Sequence, residues 1–317
     1  MSERYNSFGS YMRQRFGAAV HKVSVDAGFT CPNRDGTLGT TGCIYCNNDS
    51  FRPNSCVPAI PVVEQIRNGV SYVKRRYKAK KYLVYFQPYT NTYAPVDVLE
   101  RLYQEALAEP GVIGLAIGTR PDAIDGEKVH LMESLAKNAF ILIEYGMQSM
   151  YDRSLGFINR GHTYKTFLHA LDLTRDRGIH IGAHIIVGFP TETREEMLGM
   201  ADKLSHLPVG FLKIHHLQVI RATPLHTLYK RMPFPVFGYE EYLEFVCDFM
   251  ERLSPRIVLQ RLFATAPDNV LTAPVWGRSS QEILRDIEKT MKTRGTFQGN
   301  KAKEPAAIRA GGSRIRE

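Results

Sequence analysis

"DAGFTCPNRDGTLGTTGCIYCNN", residues 26–48, holds three of the chain's five cysteines, spaced C-x11-C-x2-C as Cys31, Cys43 and Cys46. It follows directly on "VHKVSV" (20–25), a short run rich in β-branched residues that reads as a strand. The cysteines therefore fall in a long Gly- and Asn-rich loop leaving a strand. Clustered cysteines in a reducing interior are metal ligands or catalytic thiols before they are disulfides. Four thiolates would close an iron-sulfur or structural zinc site. Three leave one metal corner open to a substrate or cofactor. Cys56 offers a fourth thiolate, so a structural zinc site with four cysteine ligands remains open as the second reading. Cys247, inside the apolar "EEYLEFVCDFM" (240–250), reads as a buried structural cysteine.

Outward from this loop, strand patterns alternate with helical ones. Strands are expected at 20–25, 81–87, 112–118, 139–146, 180–188 and 210–219, with a seventh at 256–264. Helices are expected at 62–76, 97–108, 126–138, 164–177, 193–206 and 239–253. Repeated βα units imply a parallel sheet. Six strands are too few to close an eight-stranded barrel, so the expected architecture is a partial (β/α)6 TIM-like barrel, with a doubly wound sheet as the alternative. In both, chemistry gathers at the C-terminal ends of the strands. The expected divisions are an N-terminal arm (1–19), the barrel (20–235), a C-terminal α/β extension (236–294) and a mobile tail (295–317).

Composition sets outer bounds. The 317 residues are 44% hydrophobic and 23% charged, enough apolar material for a sizeable core. No apolar run approaches the roughly eighteen residues of a membrane span. The polar start "MSERYNSFGSYMRQRF" lacks a secretory pattern, so a cytoplasmic location is expected. The net charge of +9 suits a polyanionic partner such as RNA. The basic run "KRRYKAKK" (74–81) precedes the second strand, on the side opposite the catalytic rim, and reads as a solvated helix end. Arg4, Arg13 and Arg15, with Lys301, Lys303, Arg309, Arg314 and Arg316, are the better candidates for RNA contact.

The cysteine loop, with Tyr45 just before the last thiol in "CIYC", resembles that of the radical S-adenosylmethionine (SAM) enzymes, in particular the YhcC/YtqA-type branch. That resemblance implies a 4Fe-4S cluster on Cys31, Cys43 and Cys46, with SAM chelating the fourth iron and Tyr45 against its adenine. The superfamily's usual spacing is C-x3-C-x2-C, and the extra eight residues here can loop outward without moving the thiolates.

Later strand ends resemble the same superfamily. "FQPYTNTYAP" (86–95) stands where it often has a Gly-Gly-Glu-type motif, making Gln87 the candidate contact to SAM, with Tyr89, Thr90 and Asn91 beside it. "IGTRPDAI" (117–124) is similar to a Thr-Arg-Pro-Asp stretch of the Elongator catalytic subunit, with Gly118 in place of Glu. Glu144 is the candidate replacement as ribose ligand, while Arg120 and Asp122 either join the site or merely pair. "IEYGMQSMYDRSLGFINRGH" (143–162) is similar to segments of the Elongator subunit and of oxygen-independent coproporphyrinogen dehydrogenase, which places Gln148 and Arg160 at the SAM ribose and carboxylate. His184 points into the barrel or into packing. Lys213, His215 and one of His216 or Gln218 are candidates for the substrate cavity, since alternation turns only one face inward.

The activity implied is reductive cleavage of SAM to a 5′-deoxyadenosyl radical. The electron would come from an external donor of the flavodoxin or ferredoxin type. tRNA is the expected substrate, at a wobble-uridine side chain. A small-molecule or peptide substrate is the alternative within that chemistry, and a zinc-stabilised, noncatalytic RNA-binding module the alternative outside it.

Overall fold

The computed structural model describes residues 4–48 and 59–302. Cys56 and the tail residues Lys303, Arg309, Arg314 and Arg316 lie outside the described residues.

The strands are β1 (Val20–Val25), β2 (Lys81–Phe86), β3 (Val112–Thr119), β4 (Phe140–Gln148), β5 (His180–Val187), β6 (Phe211–His216), β7 (Val219–Ile220), β8 (Val258–Arg261) and β9 (Leu271–Ala273). The helices are α1 (Phe8–Phe16), α2 (Val62–Tyr77), α3 (Val96–Leu107), α4 (Gly126–Ala136), α5 (Asp152–Phe157), α6 (Tyr164–Thr174), α7 (Arg194–Leu204), α8 (Pro224–Arg231), α9 (Tyr239–Arg252) and α10 (Ser280–Thr293). Seven strands form one parallel sheet in the order β1-β2-β3-β4-β5-β6-β8, curled into a half-barrel. The expected partial barrel is thus the architecture, with one strand more than its six. β8 comes from the C-terminal extension and pairs with β6, Lys213 opposite Arg261.

Alternation along the strands builds two layers. Val84, Phe86, Leu115, Ile117, Ile141, Ile143, Tyr145, Ile185, Val187, Leu212 and Ile214 belong to the large core between sheet and helices. The opposite face forms a second, smaller core with Leu83, Tyr85, Ala116, Phe140, Leu142, Phe211 and Val258 around the fully buried Met12 of α1. Phe140, His180 and Phe211 open their strands, so α1 stoppers the barrel at its N-terminal end. Its rings meet theirs edge-on, Tyr11 on Phe211 at 5.2 Å and Phe16 on Phe140 at 5.8 Å. Burying a methionine such as Met12 contributes about 1.5–3 kcal/mol.

Two sequence expectations need correction. The predicted strand 210–219 ends at His216. The backbone of Leu217 still bonds the carbonyl of Val187 (2.8 Å), but Val219 and Ile220 turn away to pair antiparallel with β9. The tail expected to be mobile from Gly295 is held through residue 302. Thr296 and Gln298 are buried, Gln298 Nε2 donates to the carbonyls of Ser254 (2.8 Å) and Ile257 (2.9 Å), and the Gln298 amide donates to the Arg4 carbonyl. Polar anchors leave no apolar period to read. The N-terminal segment is equally fixed, with Ser7 bridged to Leu259 on the edge of β8. No helix among the described residues is long and apolar enough to cross a membrane.

Candidate functional site

A cavity opens at the C-terminal ends of the strands, lined by Cys31, Cys43, Tyr45, Cys46, Gln87, Glu144, Gln148 and Arg160 among others. All eight residues singled out from the sequence as metal- or SAM-binding therefore border one space, although the eleven residues between Cys31 and Cys43 separate the first two thiols.

The cysteine loop is anchored at both ends. Gln65 of α2 clamps Asp26, accepting from its amide (2.9 Å) and donating to its carbonyl (2.8 Å). Past Cys31 the chain turns, with the amide of Arg34 on the Cys31 carbonyl, and bulges so that Leu38 is exposed. The return leg lies against the segment after β4. Asn33 Nδ2 donates to the Asn159 carbonyl (2.6 Å), Asn159 Nδ2 to the Gly42 carbonyl (2.9 Å), and the Ile44 amide to the Ile158 carbonyl (3.0 Å). The insertion thus loops outward as expected.

The thiols sit among cations and N–H donors. Arg160 Nη1 lies 3.6 Å and Asn33 Nδ2 3.7 Å from Cys43 Sγ, and Arg34 Nη2 donates to the Cys46 carbonyl (2.7 Å). Burial, then the neighbouring Cys43, pushes the Cys46 thiol up, with Arg34 opposing. Burial works against the Arg160 charge, yet Cys43 and Tyr45 hold the guanidinium protonated. Burial and Cys43 likewise raise the Tyr45 phenol well above its usual value. Cationic, N–H-rich surroundings favour thiolates and the net negative charge of a thiolate-bound iron-sulfur cluster. No group of three His, Cys, Asp or Glu among the described residues is gathered to hold a single metal ion. All three thiols border the one cavity, and three thiolates are the chemistry of an iron-sulfur donor set, so the residues fit the cluster implied by the sequence.

Arg160 is set by β4. Its Nη2 donates to the Gly146 carbonyl (2.8 Å) and its Nε to His162 Nε2 (2.9 Å). A side chain at 146 would displace two neighbouring groups, because a Cβ there would come within 2.5 Å of Arg160 Nη2 and 2.7 Å of Gln148 Nε2. Gln148 itself stands at φ 66°, a left-handed conformation uncommon outside glycine that is held at the strand's end beside the cavity. Arg120 forms a two-pronged pair with Asp122 (2.8 and 2.7 Å), and its buried Nη1 has no partner among the described residues. It nevertheless borders the cavity, so pairing and site membership hold together. Asn91 faces away, its amide spent on the carbonyls of Phe86, Pro88 and Gly118.

Glu144 requires a correction. Read from the sequence as a ribose ligand, it is fully buried midway down the barrel with both oxygens engaged: Oε1 by Lys22 (3.1 Å), Oε2 by Lys213 (2.5 Å) and His184 (2.9 Å). Burial alone would raise its pKa, but Lys213 and then Lys22 hold the carboxyl well below the usual range. His184 therefore points into the barrel, and burial with Lys213 lowers its pKa to about 4. Lys213 also donates to the Tyr85 hydroxyl (2.8 Å). His215 borders the cavity, and so do both His216 and Gln218, not one of them alone; the His216 ring is tilted against Trp276 (ring centroids 4.1 Å apart) and burial lowers it to about 3.

Sequence reasoning missed Lys22, Arg34, Tyr85 and Arg261. Lys22 carried a weak signal, a charge in the first strand of a sheet expected to be covered on both faces. The arm arginines lie at the stoppered end. Arg4 bonds the Thr296 carbonyl and Arg15 covers Phe140 (5.5 Å), remote from the cavity mouth.

A curled parallel sheet with a three-cysteine loop after its first strand defines a class, and the family comparison agrees: the chain belongs to the radical SAM superfamily, whose profile matches residues 31–204, followed by a radical SAM C-terminal domain at 209–293. The protein YtqA of Bacillus subtilis is 33% identical over 94% of this chain and 92% of its own. The tRNA uridine(34) acetyltransferase of Methanocaldococcus jannaschii is 26% identical, over 61% of this chain but only 32% of its own. Among solved structures, Elp3 of Methanocaldococcus infernus superposes with a TM-score of 0.69 at 19% identity, over 88% of this chain and 64% of that one.

Proposed function

We propose that the protein is a radical SAM enzyme that modifies tRNA at a wobble-uridine side chain. The observation that carries the radical SAM reading is the convergence of Cys31, Cys43 and Cys46 with Arg160, Gln148 and Gln87 on one cavity at the strand ends. A 4Fe-4S cluster on the three thiolates, with SAM beside it, would supply a carbon-centred radical able to abstract hydrogen. The chain's own part is to bind, orient and shield. Arg160, fixed by Gly146 and His162, offers a guanidinium fork to a carboxylate. The α1 stopper closes the far end of the barrel and limits access of water to the chamber. Lys213, held by Glu144 and Tyr85, places an amine on the chamber wall below the rim.

Support for tRNA is the similarity to a tRNA uridine(34) acetyltransferase and the net charge of +9. An external one-electron donor of the flavodoxin or ferredoxin type belongs to the same proposal. Two measurements test it. Anaerobically reconstituted protein is expected to turn brown and to release 5′-deoxyadenosine from SAM with reductant, whereas tightly held zinc and no release would favour the RNA-binding module. Nucleoside mass profiling of tRNA from a deletion strain is expected to show an altered wobble uridine. An unchanged profile would move the substrate to a small molecule or peptide.

A further inference from the structure

Below the rim, the chamber is more cationic than its own ion pairs require. Lys22, Lys213 and His184 take both oxygens of a single acid, Glu144, and Arg261 adds a further cation on the strand beside Lys213. Arg261 has no ion pair or hydrogen bond from its guanidinium among the described residues, although it borders the cavity opposite Lys213. His215, two residues past Lys213, also borders the cavity, and its Nε2 is buried with no partner among the described residues. Burial and then Arg261 keep its ring neutral. An unpaired guanidinium and an unpaired imidazole Nε2 beside the paired Lys213, on a partly desolvated wall, are costly unless something bound there satisfies them.

We propose that this wall is the receptor for an oxyanion of the substrate, a carboxylate or a phosphate, gripped by the Arg261 fork with Lys213 and His215 as flanking donors. The geometry suits an oxyanion better than a neutral polar group, because a free guanidinium presents paired N–H donors matched to two oxygens. Glu144 then acts as a positioning residue that keeps Lys213 turned toward the wall. The inference rests on the reading of this cavity as the substrate chamber. It adds that the reacting molecule carries its negative charge close to the site of chemistry: a phosphate if a nucleotide backbone enters, a carboxylate if the charge is on the modified side chain.

The test uses cluster-loaded protein saturated with SAM, titrated anaerobically at low ionic strength with inorganic phosphate and, separately, with acetate by calorimetry. Saturable binding of one of them is expected, weakened about tenfold or more in Arg261→Gln and only partly recovered in Arg261→Lys, which restores the charge without the fork. Tighter phosphate points to a backbone phosphate, tighter acetate to a side-chain carboxylate. In the wild-type protein the bound anion is expected to slow phenylglyoxal modification of Arg261, mapped by peptide mass spectrometry, several-fold. That arm requires no variant to fold. Absence of saturable binding, equal binding by Arg261→Gln, or modification unaffected by either anion would overturn the proposal. Deoxyadenosine release by the same wild-type sample reports the radical SAM reading independently.

Discussion

Replacing Glu144 with Gln keeps the shape of the side chain and removes the charge that three neighbours share. Lys213 at 2.5 Å, His184 at 2.9 Å and Lys22 at 3.1 Å all point at its oxygens, and the carboxylate is wholly buried. Breaking a buried pair from one side leaves the partner's charge uncompensated and costs about 3–5 kcal/mol. Against a typical stability of about 5–15 kcal/mol that is a large fraction. Glu144→Gln is therefore expected to lower the unfolding free energy of anaerobically purified protein by that amount, read in urea as a lower midpoint with an unchanged slope. Lys213→Met in the same background is expected to return part of the loss, giving a coupling energy above about 1 kcal/mol in the double-mutant cycle. A single-variant loss below about 1 kcal/mol, or strictly additive effects, would show that the cluster does not bear on stability and that Lys213 is held in place by something else.

Gly146→Ala pushes a methyl group into Arg160 Nη2 and Gln148 Nε2, both ends of flexible side chains. Stability is expected to change little, while SAM binding measured by calorimetry weakens by about tenfold or more, since a charged hydrogen bond is worth about 1.5–3 kcal/mol. Cys43→Ala is expected to abolish bound iron and visible colour after anaerobic reconstitution, whereas Cys247→Ala, deep in α9, keeps both; iron and sulfide analysis decides. His216 has a folded pKa of about 3 against about 6.5 unfolded, so the unfolded chain takes up the proton first. Its contribution is full above about pH 6.5 and falls by about 1.36 kcal/mol per unit as pH drops toward 3. His216→Phe is expected to flatten the acid limb of the stability curve between about pH 6 and 4.5 by about that slope, and an unchanged limb would refute the assignment.

What the sequence showed and what it concealed follow from how far each signal reaches along the chain. β1 to β6 were legible because the strand and helix periodicities are local, and the cysteine loop because ligand spacing is local too. β8 was visible as an apolar run, but its neighbour in the sheet was not. The surroundings of Glu144 join four strands, and nothing adjacent to "LIEYG" names Lys22 or Lys213 as its partners. Arg261 escaped notice for the same reason. α5 and α8 are too short for a clear apolar period, though Thr223 with Pro224 was a readable start for the latter, a side-chain cap followed by proline in the first turn. Residues 295–302 are tied down by backbone and amide bonds, which leave no hydrophobic pattern behind.

Beneath the half-barrel, residues 4–7 and 296–298 meet in one clasp: Gln298 Oε1 accepts from the Asn6 amide, and Arg4 reaches the Thr296 carbonyl, partners 292 positions apart. Closing so long a loop costs about 5 kcal/mol from its length alone, so on folding the clasp forms after the barrel has drawn its own ends together. A circular permutant joined at this point and reopened at the exposed Leu38 bulge would make the same contacts local, and with them turn the final step of assembly into an early one.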